Sequence, residues 1–252
     1  MPISQAKAEL SLVLEHVGLS FKDFLLGKEI YSDDLSKINS FIERRVSNRE
    51  PIQQILGYGY FMGEKFIVSQ DTLIPRPETE ILVEEVSKLS GDKILDIGTG
   101  TGCIAIMLQK INKKTVFACD ISQKALEIAK LNAKKLNADV VFFHSDLFEK
   151  NTQQFDIIVS NPPYIPFCTD LSEEVLKEPH SALFANDNGL YFYKKIINEA
   201  PKYLFSGGFL AFEIGYNQAE QIKNILEENN FSNIQIIKDL SKKDRVVIAK
   251  KQ

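Results

Sequence analysis

Four consecutive residues, Asn161-Pro162-Pro163-Tyr164, carry the most specific chemistry in the chain. They follow Phe155 to Ser160, a run suited to a buried strand, and neither a strand nor a helix interior tolerates two consecutive prolines. Proline fixes φ and lacks an N–H, so the corner holds a stiff backbone whose carbonyls point outward and stay free to accept. Asn161 through its side-chain oxygen and Pro162 through its carbonyl can together take both N–H groups of a substrate NH₂. Pro163 stiffens that pair, and Tyr164 offers a flat face to the planar group carrying the nitrogen. As a bare string the same residues also make an ordinary turn.

A second constellation lies upstream. Asp96-Ile97-Gly98-Thr99-Gly100-Thr101-Gly102 places three glycines between an apolar run and a helical pattern, where glycine lets the backbone turn tightly and approach a ligand. A dinucleotide turn has the spacing GxGxxG; here the third glycine comes one residue early and Cys103 holds its place, which departs from the nicotinamide-dinucleotide pattern. Asp96 is an acceptor beside the turn, and Asp120 closes the next apolar run, placed to take a ribose diol. Taken alone, such glycines serve the turn and such aspartates cap helices just as readily. Ser122 is expected to cap the helix after Asp120 rather than to touch a ligand.

The elements that position these residues follow from periodicity. From residue 71 onward, short apolar runs alternate with helical patterns, the mark of βα units and a mostly parallel sheet. Strands are expected at 93–97, 116–120, 140–144, 155–160, 209–214, 234–238 and 246–249, and helices near 78–89, 102–109, 123–136, 190–204 and 218–228. Only "DLSKKD" separates the last two strands, too short for a crossover, so they should pair antiparallel. A doubly wound sheet sets the first and fourth strands side by side, so the glycine turn and the proline corner should face one crevice. Residues 1–57 read as a small helical domain, with Ala8, Leu12, Val13, Val17 and Leu19 on one face and Leu35, Ile38, Phe41, Ile42 and Val46 on another. Residues 58–70, aromatic and broken by Gly59 and Gly63, read as a linking β-hairpin, and 71–252 as the catalytic domain.

Composition excludes several classes. Lys and Arg total 30 against 34 Asp and Glu, so no global positive field favours a phosphate-rich partner. Three cysteines without CxxC spacing are expected to be reduced and buried, and the three histidines, His16, His144 and His180, form no triad or metal pattern. There is no basic-then-apolar leader and no apolar run of membrane-spanning length, so a cytoplasmic protein without metal, membrane or direct nucleic-acid partner is expected.

The run Asp96 to Gly102 resembles the D-x-G-x-G-x-G turn of class I S-adenosylmethionine-dependent methyltransferases, a Rossmann-like fold with a seven-stranded sheet. That resemblance implies Asp96, Gly98, Thr99, Gly100, Thr101 and Gly102 around the amino-acid part of the cofactor and Asp120 on its ribose. It puts Ile121, Asp146 and Leu147 near the adenine and Asn161 beside the cofactor, with S-adenosyl-L-homocysteine as product. The proline corner then suits methyl transfer to a planar nitrogen whose lone pair is delocalised, because hydrogen bonds accepted from its two hydrogens favour the charge that develops there. "NPPY" occurs as well in enzymes that methylate exocyclic amines of nucleic-acid bases, so the string alone leaves that substrate open.

"LIPRPETEILVE", "REPIQQILG", "EPHSALFANDNGL", "GGFLAFEIG" and "DRVV" together resemble the protein-(glutamine-N5) methyltransferase family (HemK/PrmC) acting on peptide chain release factors. A sister group acting on a ribosomal protein shares "NPPY" but usually lacks the run Pro75 to Glu78. The resemblance implies N5-methylation of the glutamine in the Gly-Gly-Gln motif, with Asn161, Pro162 and Tyr164 catalytic and Pro163 beside them at the substrate. It also implies that the helical domain docks the factor and that the segment 165–188 closes over the glutamine. Lys177 and Leu147 depart from residues the family usually carries. Arg76 and Glu78 are expected to pin the proline-rich run to the helix that follows, a contact with the methionine moiety being the alternative.

Overall fold

A computed structural model of the protein describes residues 3–252. The chain divides into two compact units, residues 3–58 with Leu171–Lys177, and Gly59–Asp170 with Glu178–Gln252. In the first unit, helices α1 (Ile3–His16), α2 (Phe21–Leu25), α3 (Ser32–Ser47) and α4 (Ile52–Leu56) surround a small core of Val13, Leu14, Ile38, Ile52, Ile55, Leu56 and Tyr58. Ser20 caps α2 in a reciprocal capping box with Asp23, and Gly57, at φ 76°, ends α4 in the left-handed region. The expected buried faces are only partly so. Ala8 is exposed, as are Leu35, Ile42 and Val46, while Ile38 and Phe41 pack inward. A unit this small cannot cover every apolar position that helical spacing aligns. Leu171–Lys177, ending in a 3₁₀ turn at Val175–Lys177, joins this unit through the Arg45 guanidinium, which pairs with Glu9 at 2.6 Å and Glu174 at 2.8 Å.

The hairpin of β1 (Tyr58–Phe61) and β2 (Glu64–Ile67) opens the larger unit. Then come α5 (Pro77–Ser87), β3 (Lys93–Ile97), α6 (Cys103–Asn112), β4 (Thr115–Asp120), α7 (Gln123–Lys135), β5 (Val140–His144) and β6 (Phe155–Ser160). Short pieces β7 (Ile165–Pro166), α8 (His180–Leu183) and β8 (Phe184–Ala185) lead to α9 (Tyr191–Tyr203), β9 (Leu204–Glu213), α10 (Ala219–Glu228), β10 (Phe231–Lys238) and β11 (Asp244–Lys251). The seven-stranded sheet has the order β10-β11-β9-β6-β3-β4-β5, parallel except for β11, which runs antiparallel to both β9 and β10. The expected doubly wound α/β architecture is therefore present, with the first and fourth strands of the sheet, β3 and β6, adjacent.

Both faces of the sheet are covered, which explains why its central strands read as continuous apolar runs. Ile94, Ile157, Ala211 and Val246 pack with α5 and α6, while their neighbours Leu95, Ile158, Phe212 and Val247 pack with α9 and α10. Three strands extend past their apolar cores: β9 starts at Leu204, β10 at Phe231 and β11 runs on to Lys251, because outer or early positions alternate with polar residues and carry no continuous signal. Asn132, fully buried on α7, ties the hairpin to the glycine turn: it accepts from Ile67 N at 2.6 Å and donates to Ile67 O at 2.9 Å and Thr101 O at 3.0 Å. Cys103 and Cys119 are buried thiols, whereas Cys168, contrary to expectation, is exposed. Among the described residues no helix is long and apolar enough to cross a membrane.

Candidate active site

A cavity of about 370 Å³ opens at the carboxyl ends of β3 to β6, where strand order reverses and ligands bind in open α/β sheets. Of the residues expected at the site, Gly98, Gly100, Asp120, Ile121, Asp146, Leu147, Asn161, Pro162 and Pro163 line it. Asp96, Thr99, Thr101, Gly102 and Tyr164 do not; they stand behind the lining or beside it. Leu73 and Phe184, from the quoted runs "LIPRPETEILVE" and "EPHSALFANDNGL", also line it, as do Phe192 and Lys195 from a helical segment with no chemical signature in the sequence.

The three glycines of the turn have separate uses. All hold positive φ, at 73°, 56° and 81°. A Cβ on Gly98 or Gly100 would meet nothing within 4 Å, so these two leave open space at the cavity wall. A Cβ on Gly102 would come within 3.0 Å of Ile106 Cδ1 and 3.1 Å of Ala129 Cβ, so this glycine serves helix packing. The backbone donors of the turn are used internally: Gly98 N and Thr99 N bond Cys119 O, Gly100 N bonds Asp120 Oδ2 at 2.9 Å, and Gly102 N bonds Thr99 O.

Asp120 also accepts from Ser122 N at 2.8 Å; burial raises its pKa while these N–H groups oppose the rise. Ser122 caps α7, as expected, by accepting from Ala125 N. Asp96 is fully buried: Oδ2 takes the Thr99 hydroxyl at 2.6 Å, and Oδ1 has no hydrogen-bond partner among the described residues. Burial first, and the Asp120 charge after it, push its pKa up to about 7. Leu147, on the cavity wall, sits at φ 46°, a strained setting for a branched side chain.

At the proline corner the polar atoms are deployed differently. Asn161 donates from Nδ2 to Thr79 Oγ1 at 3.3 Å, and Thr79 lies 2.5 Å from Glu213 Oε2. Neither Asn161 Oδ1 nor Pro162 O accepts a hydrogen bond among the described residues. Tyr164 donates its hydroxyl to Glu213 Oε1 at 3.3 Å, and its ring packs against the core beneath the sheet. It lines a second cavity of about 430 Å³, with Gly215, Tyr216 and Gln218, rather than the first. Burial, then the Glu213 charge, push the Tyr164 phenol well up, so it stays protonated and is no base at neutral pH.

Sequence reasoning did not single out Thr79 or Glu213 as site residues, although they fall within the quoted runs "LIPRPETEILVE" and "GGFLAFEIG". Thr79 sits in a helical pattern without any cue, though a charged residue closing the apolar run "FLAFE" is a usable signal for Glu213.

Arg76 meets the helix it precedes through its backbone, its carbonyl accepting from Thr79 N at 3.0 Å, while its side chain turns elsewhere. Its guanidinium pairs with Glu178, which is buried and also accepts from Ile74 N at 2.9 Å, so the proline-rich run is fastened to "EPHSAL". Glu78 lies exposed in the first turn of α5. The segment after the corner is built rather than structureless: β7 pairs in parallel with β8, Ile165 opposite Phe184. Among the described residues no group of three or more His, Cys, Asp or Glu side chains is placed to hold a metal ion.

Residues 75–246 match the family model described as methyltransferase small domain. The chain is 43% identical to a release factor glutamine methyltransferase of Fusobacterium nucleatum over 90% of this chain and 68% of that protein. It is 39% identical to one of Buchnera aphidicola subsp. Acyrthosiphon pisum, over 99% of this chain and 93% of the relative. Among solved structures it resembles a methyltransferase from Pyrococcus furiosus, with TM-score 0.62 and 20% identity over 88% of this chain and 99% of the other, a likeness of fold.

Proposed function

The chain belongs to the release factor glutamine methyltransferase family, and we propose that it moves the methyl group of S-adenosyl-L-methionine onto N5 of the glutamine in the Gly-Gly-Gln motif of peptide chain release factors. One observation carries the reading: Asn161 Oδ1 and Pro162 O are unspent acceptors at the wall of the cavity that the glycine turn also lines. An amide nitrogen is a poor nucleophile because its lone pair is delocalised into the carbonyl. Two fixed acceptors on its hydrogens favour positive charge at nitrogen and turn the lone pair away from the carbonyl plane. The alkylated amide cation is acidic enough to lose its proton to water, so the site needs no base, in keeping with a Tyr164 that stays protonated.

The residues present fit the cofactor. Gly98 and Gly100 leave a cradle that any side chain would fill, and the Asp120 carboxylate stands beside it for a ribose diol. Ile121, Asp146 and Leu147 form the wall assigned to the adenine. Asp96, Thr99, Thr101 and Gly102 hold the turn from behind, with Asp96 Oδ1 still able to accept. When bound, the cofactor supplies an electrophilic sulfonium methyl, and no role is assigned to a metal. Tyr164 is assigned to packing the corner beside the glutamine, and Pro163 to stiffening it.

The helical domain, residues 1–57, is assigned to docking the factor. Its exposed Leu25, Leu26, Leu35, Ile42 and Val46 suit a protein partner, and the net charge of −4 disfavours nucleic acid. Residues 58–70 form the linking hairpin, 71–252 the methyltransferase domain, and 165–188 the segment that covers the glutamine. With such a substrate the enzyme works in the cytoplasm. The test is mass spectrometry of a purified release factor after incubation with the protein and S-adenosyl-L-methionine. One added methyl on the Gly-Gly-Gln glutamine is expected; an unmodified factor, or a methyl placed elsewhere, overturns the reading.

A further inference from the structure

We propose that Thr79 and Glu213 are positioning residues that decide which end of the Asn161 amide faces the substrate. The inference rests on the reading that Asn161 accepts from the substrate amide. The three side chains come from separate elements: Thr79 from α5, Asn161 from the corner after β6, and Glu213 from the end of β9. Thr79 and Glu213 are each 2% exposed, so their polar atoms answer to one another rather than to water.

A planar amide fits its slot equally well in two orientations that differ only in which end carries the oxygen. Here proton counting selects one. The Thr79 hydroxyl has a single proton, and an ionised Glu213 has none to give. At 2.5 Å from Oε2, Thr79 must therefore donate to Glu213, and its oxygen is left only as an acceptor. The atom of Asn161 at 3.3 Å from that oxygen must then be the NH₂, which leaves Oδ1 for the cavity wall, where a substrate N–H can reach it. Without Thr79 the amide is free to turn over and set its own N–H groups against those of the substrate. The same carboxylate takes the Tyr164 hydroxyl on Oε1, and the Glu213 carbonyl takes the Tyr193 hydroxyl at 2.8 Å, so one residue fixes both ends of the Asn-Pro-Pro-Tyr corner.

The direction of the relay depends on Glu213 being ionised. Burial raises its pKa, and the charge of Glu78 on α5 adds to the rise. The Thr79 hydroxyl, Arg245 on β11 and the Tyr164 hydroxyl oppose it, while the nearby Tyr193 phenol on α9 is held neutral. Once protonated, Glu213 can itself donate, Thr79 is released to donate to Asn161, and the amide is free to reverse. Turnover should then fall as pH drops through a pKa above the usual carboxylate range.

The experiment measures kcat, KM for the release factor and cofactor affinity for the wild type, Thr79→Val, Thr79→Ala, Thr79→Ser, Asn161→Ala and the double variant Thr79→Val/Asn161→Ala. Loss of the hydroxyl should lower kcat roughly 10- to 100-fold with cofactor affinity little changed, and Thr79→Ser should recover most of that loss. In the Asn161→Ala background Thr79→Val should add almost nothing, which a merely structural role would not produce. If Thr79→Val does not fold, Thr79→Ala, which only leaves a small gap, replaces it in both backgrounds. Equal losses in both backgrounds, normal kcat without the hydroxyl, or a Thr79→Ser no better than Thr79→Ala overturns the relay. Near-normal turnover of Asn161→Ala alone instead overturns the role of Asn161, so the two failures are told apart.

Discussion

The turn after β3 and the corner after β6 leave neighbouring parallel strands, Ile97 beside Ser160, and open on one cavity, yet they are built on opposite plans. The glycine turn satisfies its own donors: Gly98, Thr99, Gly100 and Gly102 all bond within the turn or to β4 and Asp120, and what it gives the cavity is room. The proline corner gives directed polarity. It lacks two N–H groups by composition, leaves Asn161 Oδ1 and Pro162 O unspent, and is braced from behind by Thr79 and Glu213. Damage to the first should therefore show in cofactor binding and stability, and damage to the second in the rate of the chemical step.

The largest effect tests the corner. Asn161→Ala should lose roughly 10²- to 10³-fold in kcat, the range for removal of one preorganised polar contact, with cofactor affinity changing far less. Titration with S-adenosyl-L-methionine beside steady-state kinetics separates the two. A loss expressed mainly as weaker cofactor binding would erase the contrast between the turns.

The next effect tests the buried acid of the glycine turn through its pKa of about 7. A carboxyl whose folded pKa is raised holds its proton more tightly folded than unfolded. Its burial is therefore tolerated at low pH, and stability declines as pH climbs from the ordinary carboxylate range to about 7, levelling off above. Asp96→Asn removes that decline. In cofactor-free protein, its melting temperature relative to wild type should rise between pH 5 and pH 8, by the equivalent of roughly 2–4 kcal/mol. A gap independent of pH would mean that Asp96 does not ionise in this range.

What could be read in advance follows the same division. Strands such as Phe155 to Ser160 announce themselves because two covered faces demand a continuous apolar run, and both turns are marked by residue types that only special backbones need. Partners across the fold leave no such mark. Arg76 finds Glu178 and Thr79 finds Glu213 after more than a hundred intervening residues, and nothing local to either arginine or threonine distinguishes these from a surface pair. The helical unit failed for another reason: Leu35, Ile42 and Val46 obey helical spacing but have no neighbour inside their unit to cover them. Periodicity gives the face of a helix and says nothing of whether that face is occupied.

A smaller effect separates glycines within the turn. Gly102→Ala sets a Cβ against Ile106 and Ala129 at positive φ, so it should cost about 1–3 kcal/mol in stability. Denaturant unfolding measures it, and because Gly102 does not line the cavity, the folded fraction should bind cofactor nearly as well as wild type.

Gly100→Ala should be the mildest to the fold and the most selective. Its Cβ meets nothing within 4 Å, so only the left-handed backbone at φ 56° is penalised, by about 1 kcal/mol. That Cβ instead enters the space the turn keeps open beside Asp120, whose Oδ2 holds the Gly100 amide. Cofactor affinity should fall about 10-fold, the equivalent of 1.4 kcal/mol, while kcat at saturating cofactor stays near wild type because Asn161 and Pro162 are untouched. Calorimetric titration against saturated turnover distinguishes the outcomes. If Gly100→Ala lowered kcat as Asn161→Ala is expected to, room and directed polarity would not be separate contributions of the two turns, and the glycine turn would have to be counted among the groups that act on the reacting nitrogen.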